Sequence, residues 1–166
     1  MNDILTGFDY SPPPASRLRR YFACFIDYFI YFTLVGLGGY IWGEKHIKVD
    51  GSLAWELNGF PGFAAILLPW LFLFPFIESF NSGQTIGKAL FRVKIVQQDN
   101  YSKVSFTSAL IKHLFDVIDF LPTFGILGLL VSTNNKYKQR IGDLVAKTVV
   151  IDANYTPPPQ AENKYL

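Results

Sequence analysis

Two stretches almost free of charge dominate this chain. Tyr21–Gly43 holds one charged side chain, Asp27, and Leu57–Ile77 holds none. About 20 mostly apolar residues, at 1.5 Å rise each, cover the roughly 30 Å hydrocarbon core of a bilayer. Both stretches reach that length, so each is read as a membrane-spanning helix. Tyr21, Tyr40, Trp42 and Trp55 stand near their ends, where amphipathic rings favour the interface. Pro61, Pro69 and Pro75 fall in the second stretch. A membrane helix tolerates them where neighbouring groups satisfy the freed carbonyls, so this span is expected to be kinked. The basic run Arg17–Arg20 before the first stretch resembles the start of a signal peptide. The apolar run after it is too long and contains an aspartate, which favours an uncleaved span.

Composition points the same way. Hydrophobic residues make up 50% of the chain and charged ones 17%, against about 25% charged in a soluble domain. Mean hydropathy is +0.22. So much apolar surface excludes a disordered chain. A net charge of +2 is too weak for a nucleic-acid footprint. One Cys excludes an intramolecular disulfide and a Cys-cluster metal site, and two His leave little for zinc.

Residues 105–133 are ambiguous. Ser105, Ser108, Lys112, Asp116 and Asp119 recur at helical spacing, so they share one stripe of an amphipathic helix. Lys112 and Asp116 are also an i,i+4 pair. Pro122 interrupts the pattern, and the apolar run 124–131 is long enough for half a bilayer. Basic residues collect at 17–20, 88–103 and 136–147. Basic loops favour the cytoplasm, which puts both termini there and loop 44–56 outside. A single crossing at 105–133 would break that pattern. The region is therefore read as an amphipathic helix at the interface followed by a short half-buried helix, or as a tight hairpin, with a third span as the alternative.

Two short β-like runs, 91–96 and 148–151, either pair on one side of the membrane or serve as extended linkers. The Pro-containing segments 1–15 and 153–166 read as flexible tails around a membrane domain at 16–152. No internal repeat stands out.

Asp27 is the sharpest anomaly, because an acid in a membrane helix normally faces the protein interior and pairs with a cation. Arg20 lies two turns away, at the margin of contact, so Lys112, Arg92 or Arg140 is the expected partner. Asp27 is read either as a structural pin or as an ion or proton site. Glu78, at the end of the second stretch, is expected at the interface with no special role, and so is the pair Tyr28 and Tyr31. His113 reads as an interface histidine. The segment 81–88 lacks the spacing of a phosphate loop. No nucleophile–base set is convincing, so no enzymatic activity, cofactor or metal is expected.

Three motifs occur in order: Arg20-Tyr-Phe-Ala-Cys-Phe-Ile-Asp27, then Gly83-Gln-Thr-Ile-Gly-Lys88 followed by Val93-Lys-Ile-Val96, then Gln139-Arg-Ile-Gly-Asp143-Leu-Val-Ala-Lys-Thr-Val-Val150. Together they resemble the RDD family of membrane proteins, named for one arginine and two aspartates. The resemblance covers about residues 16–152. It implies that Arg20, Asp27 and Asp143 are the name-giving residues, with Gln84, Lys88, Lys112, Asp116, Asp119 and Arg140 as supporting polar groups. Lys112 stands where an arginine is often seen, which keeps the charge but loses the bidentate fork. Some members are described as sodium/proton antiporters and others as membrane domains attached to diverse partners, so the resemblance implies architecture more firmly than function. The expectation is a multi-pass protein of the cytoplasmic or inner membrane, acting as a scaffold or accessory subunit. The alternative is an oligomeric monovalent cation/proton transporter. Partners are the lipid bilayer, another copy or a membrane protein, and no nucleic acid.

Overall fold

A chain that leaves water must satisfy its backbone internally, and the two charge-poor stretches do so as helices. The computed structural model describes residues 12–119 and 125–155, with side chains for all of them except 117–119. Helix α1 (Arg17–Trp42) has 26 residues, and the helical run Gly59–Phe80 has 22; both are long and apolar enough to cross a membrane. The second run is continuous but not uniform. It comprises α2 (Gly59–Leu71), a π-helical turn at Phe72–Phe76 and α3 (Ile77–Phe80). Pro75 has no N–H to give to the ladder, and the expected distortion takes the form of this wider turn. The two runs are antiparallel. Phe74 packs on Tyr28 and Tyr31 with ring centroids 4.9 and 5.9 Å away, and the Tyr31 hydroxyl donates to the Ile66 carbonyl. Tyr28 and Tyr31 therefore belong to the core between the spans, where no special role had been expected of them.

At one end the spans are joined by a hairpin, β1 (Glu44–Ile47) and β2 (Leu53–Glu56), in a segment read from sequence only as a loop. At the other end lie α4 (Ile86–Leu90), β3 (Val93–Gln97), α5 (Phe106–Asp119), α6 (Ile126–Val131), α7 (Ile141–Val145) and β4 (Thr148–Asp152). Strands β3 and β4 pair antiparallel, Ile95 opposite Val150, so the two β-like runs are a sheet and not linkers. Pro14 bridges to Ile151, and the Ala15 N–H donates to the Val150 carbonyl at 2.9 Å. Tyr155 packs beneath the same sheet. Pro14, Ala15 and Tyr155, which lie in the segments read as tails, thus contact the sheet.

Helix α5 corrects a second expectation. Its polar stripe does not face the interface. Lys112, His113 and Asp116 are buried, while Leu114 on the opposite side is 53% exposed. The helix is inverted because its neighbours α3 and α7 offer it the carboxylates of Glu78 and Asp143, and its outer face can meet lipid. Both ends of the 105–132 segment are tied to the same end of the spans. The Lys103 ammonium donates to the Phe80 carbonyl at 3.1 Å, and Arg17 donates to the Ser132 carbonyl at 3.2 Å. Pro122 lies outside the described residues.

The structure also contains a repeat that was not evident along the chain. Gln84-Thr85-Ile86-Gly87-Lys88 and Gln139-Arg140-Ile141-Gly142-Asp143 each open a one-turn helix. Each helix is followed by a basic residue with positive φ, Arg92 at 52° and Lys147 at 51°, and then by a strand. The sheet register pairs Ile95 with Val150, which stand at equivalent places in the two units, so a local two-fold axis relates them.

Candidate functional site

The site forms where the two helix–strand units meet α1, α5 and the Phe80 end of the run Gly59–Phe80. Each short helix approaches its neighbour through a glycine. A Cβ on Gly87 would lie 2.1 Å from the Ala23 carbonyl oxygen, and one on Gly142 would lie 2.6 Å from that of Lys112. No larger residue allows either approach. The consequence is that charged side chains two turns apart on α1, and others on α5, enter one buried cluster.

Arg20 and Asp27 share a face of α1, and each is 7% exposed. They do not pair with each other. The Arg20 guanidinium donates to the Asp143 carboxylate and to the Lys138 carbonyl. Asp143 also accepts from the Arg140 backbone N–H at 3.1 Å, closing the first turn of α7. The expected cation for Asp27 is replaced by two neutral donors. The Thr85 hydroxyl reaches one carboxylate oxygen at 2.5 Å, and the Gly87 N–H reaches the other at 2.7 Å. Thr85 is at the same time the N-cap of α4. The start of a helix offers unpaired N–H groups, and a carboxylate satisfies them without needing a full countercharge. Gln84 has a local role, donating to the Val93 carbonyl at 3.0 Å.

The residue that sequence reasoning missed is Glu78. It is fully buried, because the π turn adds a residue within the helix and rotates the segment after it. One Glu78 oxygen meets the Lys88 ammonium, and the other lies 2.6 Å from His113 Nε2. His113 Nδ1 lies 2.5 Å from Asp116, and the Phe74 ring packs on the imidazole with centroids 5.1 Å apart. The result is a chain Lys88–Glu78–His113–Asp116. The sequence carried two signals for it: an acid closing a charge-free span, and a His three residues before an Asp on the polar stripe. A neutral imidazole donates at one nitrogen and accepts at the other. The two carboxyl groups and the ring can therefore pass a proton along the chain without changing its total charge.

Supporting residues fall around this core. The Arg140 guanidinium reaches the Cys24 sulfur at 3.7 Å. Lys112 is 8% exposed and lines a cavity of about 30 Å³ together with Asp27, Lys88, Asp116 and Arg140. That volume suits one water-sized occupant. The charge of Lys112 acts on both Asp116 and Asp143. The side chain of Asp119 lies outside the described residues. Among the described residues no group of three or more His, Cys, Asp or Glu is arranged to hold a metal ion.

Burial shifts the titrations of these groups. It pulls Lys88 from 10.5 down to about 7, aided by Lys112 and opposed by Asp27 and Asp116. It pulls His113 from 6.5 to about 4, again with Lys112 helping and Asp116 opposing. Burial works to raise Asp143, but Arg20 and Lys112 outweigh it and hold that carboxyl below its ordinary value. Asp116 is likewise held low, against burial, by His113 and Lys112.

The model of the RDD family matches residues 14–147. The chain belongs to the RDD family. No curated protein and no solved structure matches it. This RDD domain is mostly helical and of membrane type, with two helices suited to span. The arginine and two aspartates singled out by the resemblance all fall in the buried cluster, with Arg20 and Asp143 in direct contact and Asp27 on a separate set of donors.

Two outcomes follow from this geometry. Arg20→Gln and Asp143→Asn each leave a buried charge without its counter-ion, and each should cost about 3–5 kcal/mol. The double variant should cost little more than either single one, so thermal unfolding in detergent should return a large coupling between them. The His113 shift sets a pH dependence. Its folded-state value, about 4, is below the ordinary 6.5, so the unfolded chain binds the extra proton between these values. The contribution of His113 is complete above pH 6.5 and is lost as the pH drops towards 4, by up to about 3 kcal/mol. The unfolding midpoint measured across that interval should slope down on acidification, and His113→Gln should flatten the slope.

Proposed function

We propose that this RDD protein is a non-enzymatic scaffold or accessory subunit of the cytoplasmic or inner membrane. What carries this reading is that Arg20, Asp27 and Asp143 all find their partners inside the fold. Their chemistry is spent on locking α4 and α7 to the first span, and Asp27, with two short donors, is poorly suited to exchange an ion. Exposed Arg92, Lys103, Lys136 and Lys147 offer basic groups on the same side, to anionic lipid or to a membrane-protein partner or second copy.

The same reading has two crossings with both termini cytoplasmic. It is supported by the basic residues on that side and by the ties of Lys103 to Phe80 and of Arg17 to Ser132. Residues 105–132 then enter and return without crossing. A reporter fused after Leu166 should be active in the cytoplasm, and activity only outside the cell would refute this arrangement.

A second reading, monovalent cation/proton transport by an oligomer, is favoured by the chain Lys88–Glu78–His113–Asp116. Liposomes with imposed sodium and pH gradients separate the two. A scaffold gives no flux above empty liposomes, and Asp27→Asn lowers stability by about 1–3 kcal/mol through the disturbed donors. Wild-type flux that disappears in a stable, well-folded Asp27→Asn protein would establish transport instead.

A further inference from the structure

The hairpin between the spans is the least buried ordered part of the molecule, and its two faces differ. Directly opposed residues of an antiparallel pair point to the same face. Lys45 opposite Trp55 and Ile47 opposite Leu53 therefore form one face, and Glu44 opposite Glu56 and His46 opposite Ala54 form the other. The first face is apolar apart from Lys45, yet Ile47 is 78% and Leu53 51% exposed. The second carries both carboxylates, and the turn adds Asp50. A two-stranded hairpin with one apolar face open to water is marginal by itself.

The orientation of the apolar face is settled by Trp55. Its ring lies 5.8 Å from that of Tyr40, inside the last turns of α1, and its Cβ is 3.2 Å from where a Cβ on Gly43 would be. This face therefore looks back along α1, towards Tyr40, which is 64% exposed, and the Gly36 and Gly39 side of the helix, a surface that a bilayer would cover. Ile47 and Leu53 continue that surface outward. We propose that the β1–β2 hairpin lies on the bilayer with Ile47, Leu53 and Trp55 in the headgroup and upper acyl region of phospholipid, and with Glu44, His46 and Glu56 facing water. Lys45 shares the face turned to lipid, and its long stem lets the ammonium reach back to lipid phosphate. This rests on the reading that α1 and Gly59–Phe80 span the membrane. It adds that the connection is an interfacial anchor that fixes the depth of both helices and is not a free loop.

Spin labels test it. Cys24 is the single cysteine, so a Cys24→Ala background receives Ile47→Cys, Leu53→Cys, His46→Cys or Ala54→Cys one at a time. Each labelled protein is reconstituted in phosphatidylcholine/phosphatidylglycerol vesicles and probed with oxygen, which concentrates in lipid, and with a water-soluble nickel chelate. The oxygen-to-nickel collision ratio should be several-fold higher at 47 and 53 than at 46 and 54. Nickel dominance at all four sites would overturn the proposal. So would poor access of both reagents at 47 and 53, which would mean that a protein surface covers them. Phe29→Cys, on the exposed middle of α1, separates the two levels: oxygen dominance there upholds the span even where the hairpin fails, and nickel dominance there removes the span itself. A variant with Trp42→Phe and Trp70→Phe gives an independent check, since the remaining Trp55 should be quenched by brominated lipid.

Discussion

Everything at the end of the molecule opposite the β1–β2 hairpin depends on the ion pair between Arg20 and Asp143. An arginine at the start of a membrane helix has two options, to reach out to water and lipid phosphate or to turn inward to a buried acid. Here it turns inward, and its partner comes from the opposite end of the chain. That one contact draws α7 onto α1, and α7 brings β4 with it. β4 pairs with β3, which follows α4, and α4 is held to α1 by Asp27. The sheet and the spans are thus closed into one body by charges that a bilayer would not otherwise accept. Because isolated buried charges are costly while paired ones are tolerated, the pair specifies the arrangement more than it strengthens it.

The local two-fold explains how so few residues do this. Each unit presents a short helix start whose glycine lets backbone touch backbone. In one unit the start of α4 meets Asp27 of α1. In the other, the glycine of α7 lies against α5 beside Lys112, four residues before Asp116. The units differ where charge is needed: Lys88 in one stands where Asp143 stands in the other, and each meets a buried group of opposite sign, Glu78 and Arg20. Opposite charges at equivalent places keep the cluster balanced, which matters in a region of low dielectric.

The same cluster contains groups fixed by their partners and groups whose titration is shifted by burial. Arg20, Asp27 and Asp143 are fixed by short contacts to backbone or to each other. Lys88 and His113 sit with depressed values beside carboxyl groups. Burial, not a special catalytic partner, produces both shifts, and the inverted stripe of α5 is what brings His113 into the interior.

Much of this was legible along the chain for a simple reason. Bilayer thickness turns charge-free length into candidate spans, so the long apolar helices α1 and Gly59–Phe80 were readable without any partner. Alternation and β-branching likewise marked β3 and β4, and the spacing of Ser108, Lys112 and Asp116 marked the stripe of α5. Which way that stripe faces was not readable, because periodicity defines a face but not what covers it. Asp27 was visible as an anomaly, but its partners were not: Thr85 and Gly87 become donors only once α4 is placed against α1. Glu78 was hidden by the π turn, since a uniform helical count assigns it to the wrong side. The repeat escaped notice because only its glutamine, isoleucine and glycine are shared, while its geometry is shared throughout. Which segments are long and apolar enough to meet lipid is readable along the chain, because it is a property of each segment's own transfer energy. Which charge meets which is not readable there, because a buried ion takes its partner by proximity, and proximity is set by packing between segments far apart in the chain.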